Sequence, residues 1–135
     1  MAIDESRTFR PINIALLTVS DTRGPDEDTS GDILAERIAA KGHKLAARAI
    51  EKDDADAIVA LLGKWIADPG IDAVVSTGGT GLTGRDVTPE ALDRIKDKDI
   101  PGFGELFRWI SYQTIGTSTV QSRALAVLAG GTYIF

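Results

Sequence analysis

Asp72-Ala73-Val74-Val75-Ser76-Thr77-Gly78-Gly79-Thr80-Gly81-Leu82-Thr83-Gly84-Arg85-Asp86-Val87-Thr88-Pro89-Glu90 is the stretch on which the reading of the chain turns. It starts as a short apolar strand, breaks into a glycine-rich loop and restarts as a helix. Ala73-Val74-Val75 has no polar side, which is the pattern of a strand buried on both faces of a parallel sheet. Gly78, Gly79 and Gly81 allow backbone amides to approach a ligand closely. Thr88 is expected to cap the following helix, with Pro89 at its first position, where a missing N–H costs nothing. A strand end, bare amides and a helix start together make an anion site. The order G-G-x-G-x-x-G fits neither a Walker loop, which needs a Lys-Ser/Thr pair after its last glycine, nor the dinucleotide fingerprint.

Working outward, strand and helix patterns alternate. Ile12 to Ser20 reads as a first buried strand, ending in a long polar loop from Ser20 to Gly31. Ser30 is expected to cap an amphipathic helix from Gly31 to Lys41, which Gly42 stops. Lys44 to Ile50 is a half-polar second strand suited to a sheet edge, and Ala55 to Ala67 a second helix. After the glycine loop, Pro89 to Ile95 is helical and Lys96 to Asp99 a charged turn. Helices are expected near Leu106 to Tyr112 and from Val120 to Ala129, the latter capped around Ser118. A final strand starts at Thr132. The order predicts an α/β fold of three layers, α/β/α, around a central, mostly parallel sheet.

The 135 residues are the size of one domain, and 43% hydrophobic with 26% charged residues is globular composition. Without cysteine there is no disulfide, thiolate metal site or cysteine nucleophile, and one histidine cannot build a His-rich cluster. His43, with no acidic or nucleophilic neighbour, reads as the start of a strand. A net charge of −5 argues against nucleic acid as a partner. No apolar run has membrane-spanning length and the N-terminus lacks a signal-peptide pattern, so a cytoplasmic protein is expected.

An open α/β sheet binds its ligand at the carboxyl ends of its strands. Those ends deliver Ser20-Asp21-Thr22-Arg23, then Asp53-Asp54, then Thr77 to Asp86. Several carboxylates without sulfur or imidazole suit a hard cation such as Mg2+, and loop amides suit phosphate. The combination favours nucleotide or phosphoryl chemistry. Taken alone, either aspartate of the 53–54 pair could equally be a helix cap. A flavodoxin-like domain for another nucleotide also stays open on these residues. Phe103, Phe107 and Trp109 carry more apolar surface than one small domain needs, which points to an oligomer.

The longer string Thr-Gly-Gly-Thr-Gly-x-x-x-Arg-Asp-Val-Thr-Pro-Glu resembles the molybdopterin-binding family of molybdenum cofactor biosynthesis proteins, the MoaB/MogA group. Further matching pieces are Ile14 to Asp21, Asp28-Thr29-Ser30-Gly31, Pro101-Gly102-Phe103-Gly104-Glu105 with Phe107-Arg108, and Ile115 to Ser118 leading to Ser122-Arg123. The resemblance implies a single molybdopterin-binding domain over 1–135; in the family a Pro-Gly-Ser/Thr loop and a closing helix follow the last strand. It implies Mg-ATP-dependent adenylylation of molybdopterin, with pyrophosphate released, or alternatively a non-catalytic pterin-binding or carrier oligomer. Asp53 and Asp86 match the family's two functional aspartates, implied to be catalytic and to hold Mg2+. Thr77, Gly78, Gly79, Thr80 and Gly81, with Ser20, Asp21, Ser118, Thr119 and Arg123, are the implied substrate contacts. Implied partners are copies of the chain, as homotrimer or homohexamer, and other molybdenum cofactor biosynthesis proteins.

Overall fold

The computed structural model describes residues 2–135. Three βα units open the chain. β1 (Asn13–Val19) leads to α1 (Thr29–Ala40), β2 (Lys44–Glu51) to α2 (Ala55–Ala67), and β3 (Ala73–Thr77) through the glycine loop to α3 (Thr88–Ile95). A two-residue β4 (Lys98–Asp99) then precedes α4 (Pro101–Ile115) and a 3-10 turn over Gly116–Gln121. An extended stretch leads into the hairpin β5 (Val127–Ala129) and β6 (Thr132–Ile134). One six-stranded sheet runs β2-β1-β3-β6-β5-β4. β2, β1, β3 and β6 are parallel neighbours; beyond them β5 pairs antiparallel with β6, and β4 antiparallel with β5.

β1 shows why the sheet is covered on both sides. Its residues alternate between faces, and both faces are apolar. Ala15, Leu17 and Val19 meet Ile58, Leu62 and Trp65 of α2 and Ala91 and Leu92 of α3. Ile14 and Leu16 meet Leu34 and Ile38 of α1. α4 lies on the α1 side, where Phe103 and Phe107 face Leu34 and Val75 across a groove. Trp65 is core, and β2 is the sheet edge that its half-polar pattern predicts.

The structure departs from the sequence reading in several places. α1 is capped by Asp28, whose carboxylate accepts the Gly31 N–H at 3.0 Å, and not by Ser30. Asp28 is fully buried and also receives Thr18 Oγ1 at 2.8 Å and Arg48 Nη2 at 3.0 Å. Thr88 does not cap α3. It lies inside the first turn and its hydroxyl donates to the Gly78 carbonyl at 2.9 Å, fastening the helix start to the loop. Lys98–Asp99 is a strand paired with β5, not a free charged turn. α4 extends well beyond 106–112 at both ends. The expected helix 120–129 is absent: its end is β5, turned into β6 by Gly130 and Gly131 at φ +55° and +82°. Two successive positive φ values are those of a two-residue hairpin turn.

Candidate functional site

β1, β2 and β3 end level, with Val19 beside Glu51 and Thr18 beside Thr77. The chain passes from β1 to β2 on one side and then to β3 on the other. The loops after β1 and β3 therefore part company at the point where open α/β sheets bind ligands. A crevice of about 390 Å3 opens there, lined by Ser20, Asp21, Arg23, Asp53, Gly78, Gly79, Thr83, Arg85 and Asp86, with Val19 and Thr22. Asp53 and Asp86, from different βα units, face the same space.

The glycine loop reaches this position through close backbone contacts. Gly78, at φ +99°, passes so near β1 that a Cβ would stand 2.2 Å from the Val19 carbonyl oxygen. Gly79, at φ +73°, leaves 2.3 Å between such a Cβ and Thr88 Oγ1. Any side chain at either position would displace the loop. Further along, Thr83 donates its N–H and its hydroxyl to one oxygen of Asp86, at 2.9 and 2.7 Å. Those two bonds, the hydroxyl first, hold the Asp86 carboxyl below the ordinary carboxylate range.

The aspartates of the second loop divide their roles. Asp54 is the cap of α2, accepting the Asp56 and Ala57 amides, whereas Asp53 lines the crevice. Asp21 ties three loops together. One oxygen accepts the Asp53 N–H at 2.9 Å and the other accepts Arg85 Nη2 at 2.8 Å. These contacts, the Asp53 amide foremost, lower its pKa. Asp53 is shifted the other way: burial and then the Asp21 charge push its carboxyl up. Loss of water is the first cause and the neighbouring carboxylate the second, and a bound cation would offset both. Asp53 and Asp86 offer oxygen donors only. Among the described residues no preassembled group of three or more His, Cys, Asp or Glu could hold a metal. The oxygen donors are of the kind that Mg2+ takes, one or two carboxylates with water and phosphate oxygens completing its shell.

Arg23 and Arg85, which the sequence places at the strand ends without a substrate role, are crevice residues that carry positive charge. The sequence signal for Arg85 was its place beside Asp86 in the motif. Of the remaining candidates, Thr77 and Thr80 line the groove beneath α4, and Gly78 borders both hollows. This groove holds about 570 Å3 and is largely apolar, with Phe103, Phe107, Leu125 and Phe135 in its walls. Gly81 sits against the Asp86 carboxylate. Ser118 and Thr119 line neither hollow: Ser118 is exposed, and buried Thr119 donates to the Arg108 carbonyl at 3.3 Å. No helix begins at Ser118 to present amides there; the residues sit in the 3-10 turn. Arg123 is in the extended stretch before β5 and bonds the glycine loop, with Nε on the Gly81 carbonyl and Nη2 on that of Asp86, both at 2.8 Å.

Comparison with known proteins agrees with the fold. Residues 15–135 match the family model described as "Probable molybdopterin binding domain". The chain is 48% identical over 130 residues to the molybdenum cofactor biosynthesis protein B of Escherichia coli (strain K12), covering 96% of this chain and 76% of that one. The protein of the same description from Bacillus cereus is 40% identical over 138 residues, covering 100% of this chain and 82% of its own length. Among solved structures, a molybdenum cofactor biosynthesis protein B superimposes with a TM-score of 0.90 at 40% identity, over 96% of this chain and 81% of that one. The tungsten cofactor synthesizing protein MoaB from Pyrococcus furiosus gives 0.81 at 34% identity, over 94% and 82%. With the family model spanning nearly all of its length, the chain belongs to the molybdopterin-binding family of molybdenum cofactor biosynthesis proteins.

Proposed function

We propose that this protein binds molybdopterin and ATP with Mg2+ and transfers the adenylyl group to the pterin's terminal phosphate. The observation that carries the reading is that Asp53, Asp86 and the glycine-loop backbone border one crevice. The apolar groove beside it suits a planar heterocycle, and the polar crevice suits phosphates. Gly78, common to both, marks where ring and phosphate portions meet.

In the transfer, a terminal phosphate oxygen of the pterin forms a bond to the α-phosphorus of ATP. The bond from that phosphorus to the bridging oxygen breaks, and pyrophosphate leaves with the electron pair. The attacking phosphate is already ionised at neutral pH, its second pKa being about 6, so no general base is needed. The protein's task is to place charges and align the reacting groups. Asp86, fixed by Thr83, and Asp53, raised in pKa by burial and by the Asp21 charge, would hold Mg2+, which supplies charge neutralisation at the transferring phosphoryl group. Loop amides at 78–81 orient phosphate oxygens, Ser20 and Asp21 shape the opposite wall, and Arg23 and Arg85 balance the charge of the polyphosphate. The working form is a homo-oligomer of the trimer or hexamer kind. Its support is the face of α4, where Leu106, Trp109 and Ile110 are all more than half exposed.

The test is pyrophosphate release from ATP with Mg2+, with and without molybdopterin. Release is expected only with the pterin, and Asp86→Asn is expected to slow it about 100-fold or more. Undiminished turnover in Asp86→Asn would remove the assignment. Tight pterin binding without ATP consumption by the wild-type protein would favour the carrier reading instead.

A further inference from the structure

On the sequence alone Arg123 reads as a helix residue aimed at phosphate. In the fold each of its three guanidinium nitrogens donates within the protein, to the Gly81 carbonyl, the Asp86 carbonyl and the Glu90 carboxylate. Its backbone N–H adds a bond to the Thr80 carbonyl at 2.9 Å. We infer that Arg123 is a positioning residue: it sets the shape of the glycine loop from outside and so aims the Asp86 carboxylate and the loop amides at the crevice. Only the kinetic arm of the test below rests on the reaction proposed above.

The acceptors lie at the beginning of the loop, at its end and in the first turn of α3. Between them the loop has no strand or helix of its own, and the positive-φ glycines Gly78 and Gly79 come just before, so its shape needs outside support. A guanidinium is suited to this because its donors point in fixed, divergent directions in one plane. A lysine ammonium in its place is one flexible point charge. Arg123 is in turn held in place. Arg108 of α4 donates to the carbonyls on either side of it, Ser122 at 3.2 Å and Ala124 at 2.9 Å. The carbonyl of Asp86 is thus pinned by Arg123 while its carboxylate is pinned by Thr83.

Amide hydrogen exchange of residues 78–87 in the ligand-free wild type, Arg123→Lys and Glu90→Gln reads the loop without any substrate. Exchange in the loop is expected to rise about tenfold or more in Arg123→Lys and by less in Glu90→Gln, with β1 and β3 protected as in the wild type. Unchanged loop exchange in both variants overturns the inference. Should Arg123→Lys fail to fold, Glu90→Gln, which takes the charge from one of the three acceptors at an exposed residue, carries the same test. In pyrophosphate release, kcat of Arg123→Lys is expected to fall about 10- to 100-fold while KM for ATP stays within about twofold. A raised KM for ATP in Arg123→Gln with unchanged kcat, restored by lysine, would assign Arg123 to phosphate binding and overturn positioning. If the wild type releases no pyrophosphate, the proposed reaction fails, and the exchange measurement still decides the role of Arg123.

Discussion

Asp28 and Asp53 are both aspartates at the carboxyl edge of the sheet, and their surroundings drive them in opposite directions. Burial alone would raise Asp28, but hydrogen bonds from Arg48, Thr18 and Gly31 outweigh it and hold the carboxyl low. A lowered carboxyl stabilises the fold above its unfolded pKa of about 3.9, and that contribution is lost as pH falls through the folded value. Removing the charged donor leaves a buried carboxylate short of one partner. Arg48→Met is expected to cost about 2 kcal/mol at pH 7, read from urea midpoints, with the deficit shrinking below about pH 4 as Asp28 protonates. Asp53 carries the reverse sign. Its pKa is raised by burial and by Asp21, so in the folded state it holds its proton to higher pH, and ionisation at neutral pH opposes folding. Asp53→Asn is therefore expected to raise Tm by roughly 1–3 °C at pH 7 in differential scanning fluorimetry, with the gain disappearing below about pH 4. Function is expected to suffer in the same variant, a common relation at binding sites. His43 shows the plainer case. Its Nδ1 accepts the Ile12 N–H at 3.2 Å and its ring packs on Phe9, which is the structural role its neighbours suggest.

Among the secondary elements, α4 and the stretch 122–126 depend on one small residue. A Cβ on Gly104 would stand 2.6 Å from Arg108 Nη2 and 2.7 Å from the Ala124 carbonyl oxygen. The second neighbour is backbone and cannot swing away. Gly104→Ala is expected to push the two segments apart, costing about 1–3 kcal/mol in denaturant unfolding and speeding exchange in the glycine loop as well. The sequence disclosed much of this architecture and missed a definable part. The first two βα units and β3 were legible because their apolar patterns are long and end at strong punctuation, such as Gly42 and Pro69-Gly70. The stretch Ala124-Leu125-Ala126-Val127-Leu128-Ala129 was misread as a helix because an unbroken apolar run has no period to choose by. Its residues have high helix propensity, and burial in the sheet overrode it. The signal that would have corrected it was Gly130-Gly131 followed by Thr132-Tyr133-Ile134, a hairpin pattern. The Asp54 cap and the crevice position of Asp53 could not be separated by composition, since both residues are the same type one step apart. The backbone at the start of α2 decides between them, turning Asp54 onto the helix and Asp53 to the crevice. The resemblance implies a ligand contact for Arg123, whereas two of its guanidinium acceptors are backbone carbonyls, which no side-chain pattern announces, and the third is the Glu90 carboxylate.

At the scale of the molecule, the exposed apolar face of α4 sets the assembly expectation. Trp109 is 65% exposed and Ile110 53%, more apolar surface than a solvated helix carries by chance. Trp109→Asp is expected to shift the sedimentation profile from oligomer towards monomer at micromolar concentration, while circular dichroism stays that of a folded α/β protein. A wild-type protein that sediments as a monomer would remove the oligomer from the proposal. The sheet order has its own consequence. β6, the last strand in sequence, is an interior strand between β3 and β5, and the stretch that carries Arg123 comes immediately before β5. During synthesis the ribosome therefore releases β1, β2 and β3 long before their companion emerges. Until then the flank of β3 is an open, apolar edge, the kind that recruits strands from other chains. The nascent protein should thus be a client for chaperones until β5 and β6 emerge, and its crevice should take its final form only as the hairpin clicks into the gap.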